Sequence, residues 1–184
     1  MQKTAQILQE GFTMVELLVV VSIIAIMTGA LIPSFAGYTK NQALRQAQEM
    51  VVNDLYTVQN NALAGKKAFD GTTTNFWGLR FNNGGGVAQN EYEYVTGSTG
   101  STSTDCSNAV SQKKVSLGDD IKVKGTMGSP KCVFFSLANG DSGNTSGDVI
   151  VQVQRINGGT ACYEITTNKY GLIIRKQDIN LTCP

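Results

Sequence analysis

The chain has 184 residues, which is enough for one ordinary domain with its own hydrophobic core and short for two. Its composition, 41% apolar and 16% charged, is typical of a globular protein, and the net charge of +1 does not favour a nucleic-acid partner for the chain as a whole. The sequence contains no histidine, which removes the commonest general base and the commonest transition-metal ligand, so we expect neither an enzyme nor a cofactor.

A polar leader and then a long apolar segment begin the chain. Residues 1–10 include Lys3 and Glu10 and contain no apolar core, whereas Glu16 is the only strongly polar side chain in residues 15–32. About 18 to 20 helical residues at ~1.5 Å each span a bilayer core of ~30 Å, which predicts a transmembrane helix over residues 12–35. The alternatives are a cleaved secretory signal that ends at residues 33–37 and a buried core helix.

The junction between the leader and the apolar segment reads GFTMVELLVVVSIIAIM over residues 11–27. Gly11 after a short hydrophilic leader, the aromatic Phe12, and Glu16 four positions further on in an aliphatic helix resemble the processing signature of type IV pilins and type II secretion pseudopilins. The resemblance implies that a prepilin peptidase cleaves between Gly11 and Phe12 at the cytoplasmic face and that Phe12 is then N-methylated. It also implies that residues 1–11 are a removable leader peptide and that the helix is retained as an anchor.

Glu16 and Pro33 are the two unusual residues of this helix. A carboxylate in an apolar layer is costly without a partner, and we predict that Glu16 pairs with the Phe12 amine of a neighbouring subunit during assembly. The alternative is that Glu16 lies at the membrane interface and reaches water. Pro33 falls where the family often has a helix-bending proline, and we predict a kink there because proline removes an intrahelical hydrogen bond.

The helix is predicted to continue as an amphipathic segment over residues 36–65. Apolar residues recur there every three or four positions, which indicates one buried stripe, and Gly65 suits a helix C-terminus. A coiled coil is the alternative. The predicted stripe consists of Leu44, Ala47, Val51, Leu55, Val58 and Ala62.

Residues 66–184 are predicted to form a β-rich globular head. Short β-branched or aromatic segments are separated by turn sequences such as NNGGG and NGDSGNTSGD, and several alternate apolar with polar residues. A helix followed by strands predicts an α+β fold in which the long N-terminal helix packs on an antiparallel β-sheet, as in a pilin. The predicted strands are residues 76–81, 92–95, 121–123, 133–137, 149–153, 162–165 and 172–174.

Four cysteines follow the membrane segment, and an even number in an exported head predicts two disulfides. Four cysteines permit three connectivities. We predict Cys106–Cys132, which attaches a Ser/Thr-rich loop to a strand, and Cys162–Cys183, which holds the C-terminus. The second pairing resembles the C-terminal disulfide loop that is common in pilins.

Two functions from different classes remain open. The first is a structural subunit of a type IV pilus or type II secretion-like pseudopilus. The resemblance implies as its partners the prepilin peptidase, other pilin or pseudopilin subunits and an inner-membrane assembly platform. It places the subunit in the inner membrane before assembly and in a periplasmic or cell-surface filament afterwards. The alternative is a minor pilin whose head acts in adhesion or DNA uptake at the filament tip, with Lys169, Arg175 and Lys176 as the candidate DNA patch.

Overall fold

The computed structural model describes residues 12–81, 88–97, 106, 109–125, 132–142, 148–156 and 162–176. The chain divides after Gln42 into two compact units. Within the described ranges it forms one long helix and eight strands. They are α1 (Met14–Leu63), β1 (Phe76–Phe81), β2 (Glu91–Gly97), β3 (Val110–Ser116), β4 (Ile121–Gly125), β5 (Cys132–Ser136), β6 (Val149–Arg155), β7 (Cys162–Thr167) and β8 (Ile173–Lys176).

The C-terminal end of α1 is fixed by a glycine cap. Gly65 has a φ of 60°, and its amide donates to the Ala62 carbonyl at 3.0 Å. The Lys66 amide donates to the Asn61 carbonyl at 2.9 Å. These two bonds form a Schellman motif, which places its glycine in the left-handed region where a Cβ would be strained. The helix end predicted at Gly65 is therefore confirmed.

The eight strands form two four-stranded antiparallel sheets. Sheet A has the strand order β3-β2-β1-β5, and sheet B has the order β4-β6-β7-β8. All six strand pairings are antiparallel. The helix followed by antiparallel sheets confirms the predicted α+β class, and each predicted strand overlaps an observed one.

Strand β3 is not among the predicted strands. Its sequence, VSQKKVS, is mostly polar, and its side chains are exposed or only partly buried. It pairs with β2 and forms one edge of sheet A. An edge strand without a fully buried face carries no clear apolar alternation, so the pattern that predicts the other strands is absent here.

The main core of the second unit lies between the C-terminal half of α1 and the two sheets. All six residues of the predicted helix stripe are buried, which confirms the amphipathic pattern. Sheet A contributes Trp77 and Phe135 to the same cluster, and sheet B contributes Val151 and Ile165. Trp77 is fully buried and donates its indole N–H to the Lys66 carbonyl at 2.7 Å, so the loop after α1 is attached to the sheet.

A smaller apolar cluster covers the opposite face of sheet A. Val95, Cys132 and Phe134 are buried there, and Cys106 packs against them. A disulfide joins Cys106 to Cys132, as predicted, and so attaches the segment before β3 to β5. Cys162 is buried at the start of β7, but Cys183 lies outside the described residues, so the second predicted pairing stays a prediction.

Candidate functional site

The residues that the sequence marks for processing and assembly lie at the start of α1, with Phe12 before the helix and Glu16 in its first turn. Thr13 precedes the helix, and its Oγ1 accepts a hydrogen bond from the Glu16 amide at 3.3 Å. The spacing Thr13-x-x-Glu16 is that of a capping box, in which the residue at the third helical position supports the helix start. Phe12 is 80% exposed, while Gly11 lies outside the described residues.

Glu16 has an exposed side chain within this turn. Among the described residues no cation forms an ion pair with its carboxylate. A negative charge at a helix N-terminus is favourable with respect to the helix dipole, which explains its local tolerance. The carboxylate is therefore accessible to a cationic group from another molecule.

An aliphatic surface follows Glu16 on α1. Each large apolar side chain from Leu17 to Met27 is at least 48% exposed. The two hydroxyls nearby are satisfied locally, since Ser22 and Thr28 each donate to a carbonyl of the preceding turn at 2.7 Å. An apolar surface of this extent on an exposed helix marks a contact with another protein or with lipid.

Two further predictions concern this half of the helix, the kink at Pro33 and the transmembrane helix over residues 12–35. Pro33 lies within α1, and the kink predicted there stays a prediction. Within the described ranges, no helix is both long enough and apolar enough to qualify as a membrane span.

Two buried tyrosines connect α1 to sheet A. Tyr92 is fully buried and donates its hydroxyl hydrogen to Asp54 of the helix at 2.5 Å. Burial raises the pKa of Tyr92 far above its usual value of 10.0, and the hydrogen bond to Asp54 raises it further. Burial and Asp54 raise the pKa of Tyr94 as well. Both phenols are held neutral, so this cluster stabilises the fold and offers no group for acid–base chemistry near neutral pH.

Glu93 on β2 is a buried carboxylate that pairs with side chains of both neighbouring strands of sheet A. Glu93 is 2% exposed and pairs with Arg80 on β1 and, at 3.4 Å, with Lys114 on β3. The strand register brings the three side chains together, because Glu93 lies opposite both Arg80 and Lys114. Because an unpaired buried carboxylate is strongly unfavourable, the two cations stabilise Glu93 in this register. The described residues contain no group of three or more His, Cys, Asp or Glu side chains placed to hold a metal ion.

The candidate DNA patch stays a prediction. The Lys169 amine lies 4.8 Å from the centroid of the Tyr170 ring, and the Lys176 amine pairs with Glu164 at 3.2 Å. Arg175 and Lys176 are consecutive on β8, so their side chains leave opposite faces of sheet B. This arrangement gives the DNA-binding alternative no specific support.

A cleft of about 340 Å³ lies between α1 and the end of sheet B, and it is lined by Arg45, Gln48, Glu49 and Arg175. Of these four residues only Arg175 belongs to a predicted site, the candidate DNA patch. No pattern in the sequence groups it with Arg45, Gln48 and Glu49, because β8 and this part of α1 are far apart in the chain. One signal is present in the sequence. Gln48 falls between Leu44 and Val51 in the buried stripe, where an apolar residue is expected.

Comparison with known proteins identifies the N-terminal segment. Residues 8–32 match the family described as the prokaryotic N-terminal methylation motif. This range contains the Gly11–Phe12 junction, Glu16 and the aliphatic surface. No curated protein matches the chain.

Two solved structures match most of the chain's length. The type IV minor pilin FimU of Pseudomonas aeruginosa matches with a TM-score of 0.54 at 12% sequence identity, covering 76% of this chain and 92% of that one. The minor pseudopilin EpsH from the type 2 secretion system of Vibrio cholerae matches with a TM-score of 0.48 at 11% identity, covering 73% and 96%. The likeness to FimU, at this identity, concerns the fold alone.

Proposed function

We propose that this chain, which carries the prokaryotic N-terminal methylation motif and has the fold of a type IV minor pilin, is a structural subunit of a type IV pilus or a type II secretion-like pseudopilus. The observation that carries the proposal is the exposed aliphatic surface from Leu17 to Met27, directly after Glu16 and inside the matched motif. Such a surface is unfavourable in water and favourable when helices pack side by side in a filament.

Processing is the first step of the proposed role. A prepilin peptidase removes residues 1–11 by hydrolysing the Gly11–Phe12 bond, and the new amine of Phe12 is methylated. Phe12 is exposed and precedes the capped helix, which supports access of these enzymes to this position. The matched motif supports this step.

Membrane anchoring is the second step. Residues 12–35 hold the subunit in the inner membrane, and an assembly platform transfers it into a filament with other pilin or pseudopilin subunits. The aliphatic side chains then exchange lipid for neighbouring helices, so they remain buried throughout. The head, with its own core and disulfide, is displayed on the periplasmic or cell-surface side.

Glu16 gives the assembly its register. In an apolar environment the Glu16 carboxylate attracts the Phe12 amine of the adjacent subunit far more strongly than it does in water. Its exposure and its lack of a cationic partner among the described residues support this pairing. The subunit acts by polymerising.

The test compares Glu16→Gln with Glu16→Ala. Glutamine also serves at the third position of a capping box, so Glu16→Gln removes the charge and keeps the cap. Because the pairing needs the charge, we expect both variants to reduce the chain recovered in filaments by at least about tenfold, relative to the membrane-bound pool. Trp77 fluorescence checks that the head is folded in each variant.

Two outcomes would contradict the assigned role. If Glu16→Gln assembled like the wild type while Glu16→Ala did not, helix capping would explain Glu16 and the ionic pairing would be wrong. If both variants assembled normally, Glu16 would have no part in assembly.

A further inference from the structure

We propose that the cleft lined by Arg45, Gln48, Glu49 and Arg175 is a binding site for a carboxylate group. Three of these residues lie within two turns of α1, and Arg175 lies on β8 across the cleft. All four belong to the second unit of the chain. The volume of about 340 Å³ suits a small anionic group.

Arg45 is oriented before any ligand binds. Its Nε donates to the hydroxyl of Tyr163 at 3.1 Å, and Tyr163 is itself buried in the main core. Among the described residues, the two terminal nitrogens of the Arg45 guanidinium have no other hydrogen-bond acceptor. Arginine has five donor hydrogens, so most of its hydrogen-bonding capacity remains available to a ligand.

Gln48 supplies a donor that the protein leaves unused. The residue is 6% exposed, and its Nε2 has no hydrogen-bond partner in the described part of the chain. Burying an amide donor without an acceptor is unfavourable, and native structures rarely do so. An acceptor that enters the cleft removes this penalty.

The charges in the cleft favour a singly charged anion. Among the described residues that line the cleft, Arg45 and Arg175 carry guanidinium groups and Glu49 carries a carboxylate, and no ion pair joins Glu49 to either arginine. A planar carboxylate matches the planar guanidinium fork and can accept two parallel hydrogen bonds. Glu49 repels any anion in the cleft, but it repels a phosphate dianion more strongly than a singly charged carboxylate. The cleft therefore favours a carboxylate.

The carboxylate has two available sources, a free organic acid or an acidic group of a second copy of this chain. Both present the same two oxygens to Arg45, Arg175 and Gln48. The proposal is independent of the assembly role of α1, because none of its residues lies in the aliphatic surface.

The test is an NMR titration of the full chain in non-ionic detergent micelles. Sodium acetate is the probe, and sodium chloride at equal ionic strength is the reference. We expect acetate to shift the Gln48 side-chain amide and the Arg45 and Arg175 Nε–H signals, with saturation in the millimolar range. Arg45→Gln and Gln48→Met should each weaken acetate binding by about tenfold. Lys169→Gln, which removes a surface cation outside the cleft, should leave it unchanged.

Three results would overturn the proposal. The first is that acetate shifts these signals no more than chloride does. The second is that Gln48→Met binds acetate like the wild type. This variant is informative because it keeps the Arg45–Tyr163 contact that anchors the site. The third is that inorganic phosphate saturates the signals at a lower concentration than acetate, which would indicate a phosphate or nucleic-acid site.

A dilution series then separates the two sources. If a second copy supplies the carboxylate, the Gln48 amide signal shifts with protein concentration in the absence of acetate, and acetate competes this shift away. If the source is a free acid, the signal is independent of protein concentration and responds to acetate alone.

Discussion

Leu18 and Leu55 lie on the same helix, yet Leu18 is 69% exposed and Leu55 is fully buried. The two side chains are chemically identical, and each gains roughly 1.5–3 kcal/mol when it is moved from water into an apolar environment. Leu55 realises that gain against the sheets of its own chain. Among the described residues nothing covers Leu18, so its gain has to come from lipid or from another subunit. The helix therefore stabilises a head with one half and is suited to build a filament with the other.

The largest predicted effect concerns the core contact of Leu55. Leu55→Ala should lower the free energy of unfolding of the head by about 2–5 kcal/mol, because it leaves a cavity in the core. Leu18→Ala, the matched control, should change it by less than about 0.5 kcal/mol. Denaturant unfolding followed by Trp77 fluorescence measures both. Equal losses of unfolding free energy for the two variants would show that Leu18 and Leu55 contribute equally to the stability of the head.

The next largest effect is the loss of stability of the head when its Cys106–Cys132 disulfide is removed. Replacing both Cys106 and Cys132 by alanine should lower the free energy of unfolding by about 3 kcal/mol, because the bond closes a loop over a sequence separation of 26. Assembly through the aliphatic surface should persist at temperatures where the variant remains folded. A variant as stable as the wild type would show that this bond contributes nothing to the attachment of the segment before β3.

The Tyr92 contact tests what holds the buried half of α1 on sheet A. Tyr92→Phe should cost about 1–2 kcal/mol at neutral pH, because Asp54 loses a donor. The pKa of Tyr92 is raised in the folded state, so its neutral form stabilises the fold fully below about pH 10, the unfolded value, and this contribution is lost as the pH rises further.

Alkaline titration of stability measures that loss. Wild-type stability should fall above about pH 10, and Tyr92→Phe should fall less steeply. Tyr170→Phe changes an exposed tyrosine and should retain the wild-type slope. A Tyr92→Phe slope equal to that of the wild type would exclude Tyr92 as a source of the alkaline sensitivity.

The smallest predicted effect concerns Gln48, the buried polar residue on the C-terminal half of α1. Gln48→Met should raise the free energy of unfolding by about 1 kcal/mol in acetate-free buffer, because it removes an unsatisfied donor. Gln59→Met is the matched control on the same helix. The Gln59 amide donates to the Gly171 carbonyl at 2.9 Å, so its loss should cost about 1 kcal/mol. A destabilised Gln48→Met would indicate that the donor is satisfied in solution.

The features that the sequence predicts well are local or periodic. The helix stripe and the Gly65 cap depend on residues within a few positions of one another, and the structure confirms both. The motif around Gly11, Phe12 and Glu16 is equally local, and the family match covers it. The Cys106–Cys132 pairing is correct among three connectivities because a short loop favours it.

The features that sequence reasoning misses depend on sheet register. Strand β3 carries no apolar alternation, so only its pairing with β2 defines it. The ion pairs of Glu93 require that β1 and β3 flank β2 in one register. The cleft requires Arg175 of β8 to meet Arg45 of α1, which no spacing along the chain indicates.

If α1 is a processed assembly helix, the intact mass of the chain reveals the processing. The chain is recovered from the membranes and sheared filaments of cells that express it, and its mass is measured with and without reduction and thiol alkylation. We predict a chain that begins at Phe12 and carries one additional methyl group, with Cys106 and Cys132 alkylated only after reduction. A chain that still begins at Met1, or one cleaved at residues 33–37, would contradict the assembly role.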